Sequence, residues 1–479
     1  MNDKTFFHIG IFFLILGAGA FVMVIKPWEK MNQDSDIFFE KNTTATTPEI
    51  IVLDLPQNSS SPEISEKIRP QNTAENFFIQ QNFLEAIAIA QEDHKKNPQD
   101  TRSLEILIDS HIALSDYFQA EEYITKLLLL RNTPQNQVKK IEILMLSGKK
   151  DAAKKSIHLL PKSEEKEFYL LLVSLLEERY DDTKKHATTL VTSNSQYKET
   201  AQEFLNIFDN YKSFRDGSPH YLRTMMANLL NILDYHTLTI QFIKPTLEEY
   251  PDYRDAWIIM GNSYLSLKKF NLAERFFETA LSLDPAHPKT PYFLAITLAE
   301  KGQYNEAIEQ FKNALKNQYT PESKVQRYIA ETYLRQKNYE KSVEYFQEVI
   351  ADDERVEFQD YAYAITLSIE HLKSPDLALK TATKLNKKFP ENSRSLPFLA
   401  WALLETGSLD QARATLIKSI EKNPNQGENF LFMGQLYEKE NRNQEAFDAY
   451  KKGYQIQKGS AISRECAQKY NALKTRLSE

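Results

Sequence analysis

Residues 254–287 decide the fold, and they read RDAWIIMGNSYLSLKKFNLAERFFETALSLDPAH. The stretch holds two groups of apolar or small residues at helical spacing: Trp257, Met260, Gly261 and Tyr264, then Ala273, Phe277 and Ala280. Residues three and four apart lie on one face of a helix, so the two groups predict two amphipathic helices. A short polar turn joins the helices, and Asp284-Pro285 ends the unit. The stretch therefore predicts one helix pair, with small residues where the two axes approach.

The same pattern returns along the chain, which is typical of a helical solenoid. It recurs with substitutions in residues 288–317, from Ser323 onward, and in residues 359–390, 393–424 and 427–460. These residues resemble the tetratricopeptide repeat, which has an aromatic residue, a Leu-Gly pair, Tyr, Ala, Phe, Ala and Pro at this spacing. In the first stretch Met260 stands in place of the Leu. The resemblance implies an all-α, right-handed superhelical solenoid of tetratricopeptide-like helix pairs.

Repeat quality and composition divide the chain into five predicted segments. The Asp216-Gly217-Ser218-Pro219 stretch interrupts the helical pattern, which is loose before it and clear after it. The last helix mixes apolar and charged residues, as a solenoid end exposed to water requires. We therefore predict a transmembrane anchor at 1–30, a disordered Ser/Thr/Pro/Asn-rich linker at 31–72, degenerate repeats at 73–215, tetratricopeptide repeats at 216–460 and a capping helix at 461–479.

The N-terminal stretch FFHIGIFFLILGAGAFVMVI, residues 6–25, has no formally charged side chain. A helix of about 20 apolar residues is long enough to span a bilayer, and Lys26-Pro27-Trp28 would follow as an interfacial anchor. A cleaved signal peptide is the alternative, because Ala18-Gly19-Ala20 has the form of a cleavage site. We expect an uncleaved anchor, a single-pass membrane location, and a helical body on the extracytoplasmic side.

The predicted linker contains one apolar patch, Ile50 to Leu55 (IIVLDL). Two readings stay open for it. The patch is either a β-prone part of an unstructured tether or a short motif that docks in a groove of this solenoid or a neighbouring one.

Composition limits the classes of function. The chain has 479 residues, only 12 glycines and one cysteine, Cys466, so it has no internal disulfide framework. The formal net charge of −7 gives no electrostatic reason to expect nucleic-acid binding. We expect no nucleic-acid partner.

Motifs that carry chemistry are missing from the sequence. The nine histidines form no HExxH, and the chain has neither GxSxG nor GxGxxG. The stretch from Ser147 to Lys150 (SGKK) lacks the upstream Gly and the final Ser or Thr of a phosphate-binding loop and predicts an interhelix turn. Cys466 is expected to be a packing residue. We predict no enzyme activity, no cofactor, no metal and no catalytic residue.

The remaining candidate site is the inner surface that the first helices of the pairs would line. By resemblance, tetratricopeptide repeats bind extended peptides or partner helices there. Register places seven candidate residues on this surface: Asn262, Tyr292, Arg327, Glu331, Arg335, Trp401 and Gln435. Tyr328, next to Arg327, is the eighth candidate. Arg327 and Arg335, with Tyr328, could hold an acidic side chain or a C-terminal carboxylate. The Lys-Asn-Asn-Lys-Arg set of chaperone-binding relatives is matched only at Asn262, while Tyr292 and Ile296 occupy other positions of that set.

The sequence therefore predicts a membrane-anchored scaffold that binds a protein or peptide partner and is not an enzyme. An alternative from another class is an accessory subunit that organises an envelope enzyme complex or a secretion, pilus or polysaccharide assembly machine. A hydrolase with an unrecognised site is a third hypothesis, which the missing motifs disfavour. The sequence is compatible with a homo-oligomer but does not indicate one.

Overall fold

A computed structural model describes residues 73–213, 218–352, 355–456 and 458–478. Over these residues the secondary structure is entirely α-helical, with no strand. The described chain forms two compact units, one ending at Lys269 and the other beginning at Phe270. The fold class of the repeat body is thus confirmed as an all-helical, tetratricopeptide-like solenoid. The two compact units meet between residues 269 and 270, whereas the sequence pattern predicts a boundary between residues 215 and 216. The predicted segment boundaries stay a prediction.

Unit 1 contains twelve helices in its described part. They are α1 (Ala74–Ile79), α2 (Phe83–Lys96), α3 (Thr101–Ala113), α4 (Tyr117–Leu130), α5 (Pro134–Leu146), α6 (Lys150–Leu159), α7 (Glu164–Leu176), α8 (Tyr180–Thr192), α9 (Lys198–Ser213), α10 (Pro219–Ile232), α11 (His236–Glu249) and α12 (Arg254–Ser266).

Unit 2 contains twelve more helices in its described part. They are α13 (Phe270–Leu283), α14 (Lys289–Glu300), α15 (Tyr304–Lys316), α16 (Glu322–Arg335), α17 (Tyr339–Ala351), α18 (Phe358–Glu370), α19 (Pro375–Lys388), α20 (Ser395–Glu405), α21 (Leu409–Lys422), α22 (Gly427–Lys439), α23 (Asn443–Gln455) and α24 (Ala461–Ser478).

Short turns with local hydrogen bonds separate the helices of each pair. After α14, the N–H of Gly302 donates to the Ala299 carbonyl at 3.0 Å, and that of Gln303 donates to the Leu298 carbonyl at 2.9 Å. Gly302 has a φ of +78°, which glycine adopts without the steric cost that a Cβ imposes. This turn satisfies helix-end carbonyls and reverses the chain within three residues. The second helix of the pair therefore packs back on the first.

The second helices bury the small and aromatic residues that the repeat pattern predicts. Ala273, Phe277 and Ala280 of α13 are fully buried, and so are Ala307, Phe311 and Ala314 of α15. Small residues let neighbouring helices approach, and the phenylalanine between them fills the remaining space. The core of unit 2 is thus a row of such layers, each made by one pair and its neighbour.

The predicted single-pass membrane location is contradicted by the described helices. None of them is long and apolar enough to cross a membrane. The longest, α24, has 18 residues and carries Arg464, Glu465, Lys469, Lys474 and Arg476. A membrane-spanning helix needs about 20 predominantly apolar residues, and none of the described helices meets that requirement. Residues 6–25, the anchor at 1–30 and the linker at 31–72, with its Ile50–Leu55 patch, lie outside the described residues.

Candidate partner-binding surface

The first helices of unit 2 form one continuous surface, which we call the first-helix face. It is made by α14, α16, α18, α20 and α22. Contacts join α14 to α16, α18 to α20, and α20 to α22, so side chains from consecutive repeats lie next to one another. The first helices of unit 2 contain seven of the eight candidate residues. The eighth, Asn262, lies on α12 of unit 1, where its side chain is buried.

Arg327 of α16 forms the most enclosed ion pair on this face. Its Nε lies 2.6 Å from Asp360 Oδ1 and its Nη2 lies 2.8 Å from Asp360 Oδ2, so the guanidinium donates two parallel bonds to a carboxylate that is 1% exposed. Its Nη1 lies 3.0 Å from Glu357 Oε1. Burial disfavours the charged guanidinium, but these carboxylates raise the pKa of Arg327 above its ordinary value. All its donor groups therefore already face anions or carbonyls of this chain, since Nη2 also reaches the Arg355 carbonyl at 3.1 Å.

The N-terminus of α18 holds the other side of this pair. Asp360 Oδ2 accepts the Glu357 backbone N–H at 2.8 Å, and Glu357 and Asp360 together form a capping box. The N-terminus of α18 therefore orients the Asp360 carboxylate that Arg327 binds. Neither Asp360 nor Glu357 was predicted from the sequence, although Asp360 lies 33 residues after Arg327, close to one repeat length. Residues one repeat length apart occupy equivalent positions of neighbouring repeats and lie close together. A search for oppositely charged residues at this spacing could have predicted the pair.

Glu331 and Arg335 follow Arg327 at intervals of four residues, so all three lie on the same side of α16. Arg335 Nη1 lies 2.7 Å from Glu300 Oε1 of α14. Glu331 is half-buried. Burial raises the pKa of Glu331 to about 7, although Arg335 and Arg327 act in the opposite direction. These three candidate residues therefore lie close together, and both arginines form ion pairs within the protein.

Tyr292 and Tyr328 belong to the core rather than to an open surface. Tyr292 is fully buried, and its ring stacks on Tyr319 at 4.4 Å and meets Tyr328 edge-on at 5.6 Å. Tyr328 in turn stacks on Phe311 at 5.7 Å. The expectation that Tyr292 occupies a non-packing, inward-facing position is corrected, because Tyr319, in the turn between α15 and α16, packs on its ring.

Trp401 of α20 and Gln435 of α22 are both half-buried on the same face. The Trp401 ring stacks on Phe432 at 5.2 Å, with an interplanar angle of 14°. Nearby, Arg394 Nε lies 3.0 Å from Glu428 Oε1, and its guanidinium lies over the rings of Phe358 and Phe398. This end of the face therefore offers an aromatic surface beside an internal ion pair.

In unit 1, α11 contacts helices that lie far from it in the sequence. Gln241 of α11 donates its Nε2–H to the Leu146 carbonyl at the end of α5, at 2.9 Å, and the hydroxyls of Tyr117 and Thr237 lie 3.1 Å apart. These residues are 95 and 120 positions apart in the chain. In an open row of repeats, each pair contacts only its neighbours. Unit 1 instead folds α11 back onto α5.

An aromatic cluster lies where α11 meets the earlier helices of unit 1. The Phe168 ring stacks on Tyr197 at 4.3 Å and lies 6.4 Å from Tyr235, which precedes α11. The Tyr169 hydroxyl donates to the Glu142 carboxylate of α5. Burial, with the nearby Glu142 carboxylate, raises the pKa of Tyr169 and of Tyr235. These phenols stay neutral at physiological pH and stabilise the closed arrangement by packing and hydrogen bonding.

A shallow groove of about 480 Å³ lies on the second-helix side of unit 2. It is lined by Leu379, Thr383, Leu399, Leu403, Gln411, Ala414 and Thr415. No titratable side chain lines it. The described residues also include no group of three or more His, Cys, Asp or Glu placed to hold a metal ion. Cys466 is fully buried, and burial raises the pKa of its thiol to about 12, which keeps it uncharged at neutral pH.

Comparisons with known proteins identify tetratricopeptide repeats in this chain. A family model described as Tetratricopeptide repeat matches residues 254–287, and a second with the same description matches residues 292–355 and 398–461. These matches confirm the predicted repeats over those residues. Superkiller protein 3 of Saccharomyces cerevisiae is 26% identical over 85 residues, or 18% of this chain, and the match spans 6% of the length of that protein.

Similar solved structures match this chain at low identity and low TM-score. The C-terminal part of a TPR repeat-containing protein from Cytophaga hutchinsonii is 16% identical with a TM-score of 0.43, over 51% of this chain and 98% of that one. Yeast Tom70 is 13% identical with a TM-score of 0.31, over 85% and 95%. A Naa15/Naa10 structure bound to HypK-THB is 13% identical with a TM-score of 0.37, over 85% of each chain.

Proposed function

We propose that this chain, which carries tetratricopeptide repeats, is a non-catalytic scaffold that binds a protein or peptide partner on the first-helix face of unit 2. Repeats of this type are generally used for protein–protein interaction. The observation that supports this location is the difference between the two units. In unit 1, α11 contacts the end of α5, whereas contacts of this kind between distant repeats are not seen among the described helices of unit 2.

The side chains on this face suit a partner that lies along it. Arg335 is 47% exposed, and Glu331, Trp401 and Gln435 are half-buried, so each presents atoms to solvent while the rest of its side chain packs against the protein. Partly ordered side chains lose less conformational entropy on binding than fully mobile ones. Aromatic and arginine residues also supply much of the energy at many protein interfaces. The alternative of an accessory subunit in a larger assembly stays a prediction, since no contact in the described residues favours it.

A matched pair of substitutions tests the location. Gln435→Arg places a long cation on the first-helix face, and Gln411→Arg places the same side chain at an exposed position of the second helix α21. Partners are captured by crosslinking in intact cells and compared by quantitative mass spectrometry for the wild type and both variants. We expect the Gln435 variant to lose the main partner and the Gln411 variant to retain it, with unchanged melting temperatures. Equal capture by both variants would contradict the proposal.

A further inference from the structure

Two turns of unit 1 expose four large apolar side chains. The first turn joins α1 to α2, and the second joins α3 to α4. Ile79 and Leu84 lie at the first turn and are 43% and 69% exposed, while Leu114 and Phe118 lie at the second and are 40% and 72% exposed. We call these four residues the turn patch. Single exposed apolar side chains are ordinary, but a group of them on a soluble protein marks a surface that contacts another segment.

The two turns lie next to each other at one edge of the repeats. Both reverse the chain at a residue with positive φ, Gln81 at 59° and Ser115 at 60°. The helices that they join are in contact, because α3 packs against both α1 and α2. In addition, Gln91 of α2 donates its Nε2–H to the Tyr123 hydroxyl of α4 at 3.3 Å. Since packed helices have axes about 8–10 Å apart, a single extended ligand can contact both turns.

The N-terminal part of the chain joins the described structure beside the turn patch. Helix α1 has only six residues and is therefore about 9 Å long, so its first residue lies within about 10 Å of Ile79. Residues 1–72 precede this point in the sequence. A segment among them is thus close enough to cover the patch.

Residues 50–55 (IIVLDL) have the composition and the length that the turn patch requires. They contain the longest apolar run in the 40 residues before Thr73. Pro48 and Pro56 bound the segment, and a proline disfavours the helical conformation in the residue before it. An extended chain rises about 3.3 Å per residue, so six residues span about 20 Å and can reach both turns.

We propose that residues 50–55 bind the turn patch of the same molecule. Residues 56–72 connect the segment to α1, and a flexible chain of 17 residues has a root-mean-square length of about 23 Å. This length exceeds the length of α1, so the segment can reach the patch. The connection also keeps the segment at an effective concentration of about millimolar, at which burial of a few apolar side chains is sufficient for binding. This contact goes beyond the proposed function, because it lies in unit 1 and does not depend on the first-helix face.

Apolar burial, rather than charge, holds the segment in this arrangement. The carboxylates near the two turns are Glu85 and Asp116, and the segment with the residue before it brings Glu49 and Asp54. Like charges repel one another, and salt screens that repulsion. The contact should consequently be as strong or stronger in about 0.5 M salt, whereas attraction between opposite charges would weaken.

Engineered disulfides in the purified full-length protein test the contact, because Cys466, the only cysteine of the sequence, is fully buried. One variant carries Val52→Cys and Ser115→Cys, with Ser115 in the second turn of the patch. The matched control carries Val52→Cys and Gln99→Cys. Gln99 is also an exposed turn residue, but it lies between α2 and α3, at the opposite edge of the repeats, from which α1 starts. After mild oxidation, disulfides within one molecule are quantified by mass spectrometry.

We expect the variant with Ser115→Cys to form at least about fivefold more intramolecular disulfide than the control with Gln99→Cys. Adding Leu84→Ser and Phe118→Ser should lower that yield to the control level. Leu129→Ser, at an 84% exposed position of α4 outside the patch, should leave it unchanged. Melting temperatures should stay the same, because all three side chains are largely exposed. Equal yields in the first two variants, a yield that survives the loss of Leu84 and Phe118, or disulfides only between two molecules would overturn the inference.

Discussion

The Arg327 guanidinium donates two hydrogen bonds, of 2.6 and 2.8 Å, to the carboxylate of Asp360 in the next repeat. The two residues belong to α16 and α18, and Asp360 is almost completely buried. One side chain therefore joins neighbouring first helices and neutralises a carboxylate that its own helix positions. Because unit 2 is built of repeats that contact mainly their neighbours, such links between repeats determine how well the row holds together.

Arg327→Met should destabilise unit 2 by about 3 kcal/mol, because it leaves Asp360 buried without its cation. Arg335→Met should cost about 1 kcal/mol or less, since its pair with Glu300 is largely exposed to solvent. Urea unfolding of the full-length protein measures both values. Equal effects of the two variants would show that the burial of Asp360 has no energetic importance. In the double variant Arg327→Met, Asp360→Asn, part of the loss should be recovered, because no uncompensated charge remains.

Glu331→Gln should change how stability depends on pH. The pKa of Glu331 in the folded protein, about 7, is above the ordinary glutamate value of 4.5. The folded state therefore binds more protons between these values, so the contribution of Glu331 is complete below pH 4.5 and is lost as the pH rises through 7. Relative to the wild type, the variant should gain about 1–3 kcal/mol between pH 4.5 and pH 8. Denaturant unfolding at a series of pH values gives this difference. A constant difference across that range would refute the raised pKa.

Gly434→Ala should destabilise the last repeat of unit 2. A Cβ at Gly434 would lie 2.6 Å from Cδ1 of the buried Tyr450 ring, so α22 and α23 would have to separate. We expect a net loss of about 1–3 kcal/mol, because the better helix propensity of alanine, about 1 kcal/mol, offsets only part of the overpacking. Gln411→Ala at an exposed position of α21 is the control and should be within about 0.5 kcal/mol of the wild type. Thermal unfolding measures both, and an unchanged Gly434 variant would contradict the close packing.

Gln241→Ala should loosen α11 from α5 in unit 1. The substitution removes the bond from Gln241 to the Leu146 carbonyl, which should cost about 1 kcal/mol. Amide hydrogen exchange should therefore become faster in both helices, although they are far apart in sequence. Gln202→Ala on α9, which removes an exposed side chain that bonds only to Asn206 of the same helix, should leave exchange in α5 unchanged. Faster exchange restricted to α11 would argue against coupling between the two helices.

Helix pairs could be predicted from the sequence because their residues recur at local spacing. Phe277 and its flanking alanines are buried as the 3.6-residue period predicts, and the family models match the same residues. Contacts between repeats were harder to predict. The partner of Arg327 lies 33 residues away, and only a comparison of equivalent positions in successive repeats would reveal it.

Burial from a neighbouring turn was missed for a similar reason. Tyr292 lies at an inward register position of α14. The ring that covers it belongs to Tyr319, which lies in the turn between α15 and α16. In unit 1 the repeat pattern is too degenerate to predict the hydrogen bond between Gln241 and Leu146. Periodicity within one helix therefore predicts which of its faces packs against the partner helix. It does not predict which residues are buried by a segment far away in the sequence.

The return of α11 to α5 has a consequence for how unit 1 folds. Bringing Tyr117 and Thr237 together closes a long stretch of chain, and the entropy lost in that step must be recovered by contacts that form at the same time. Repeats that contact only their neighbours can fold or unfold one after another. In unit 1, contacts between early and late helices couple their folding into one transition. Unit 1 should consequently unfold as a single all-or-none block, and it should form only after the ribosome has released α11.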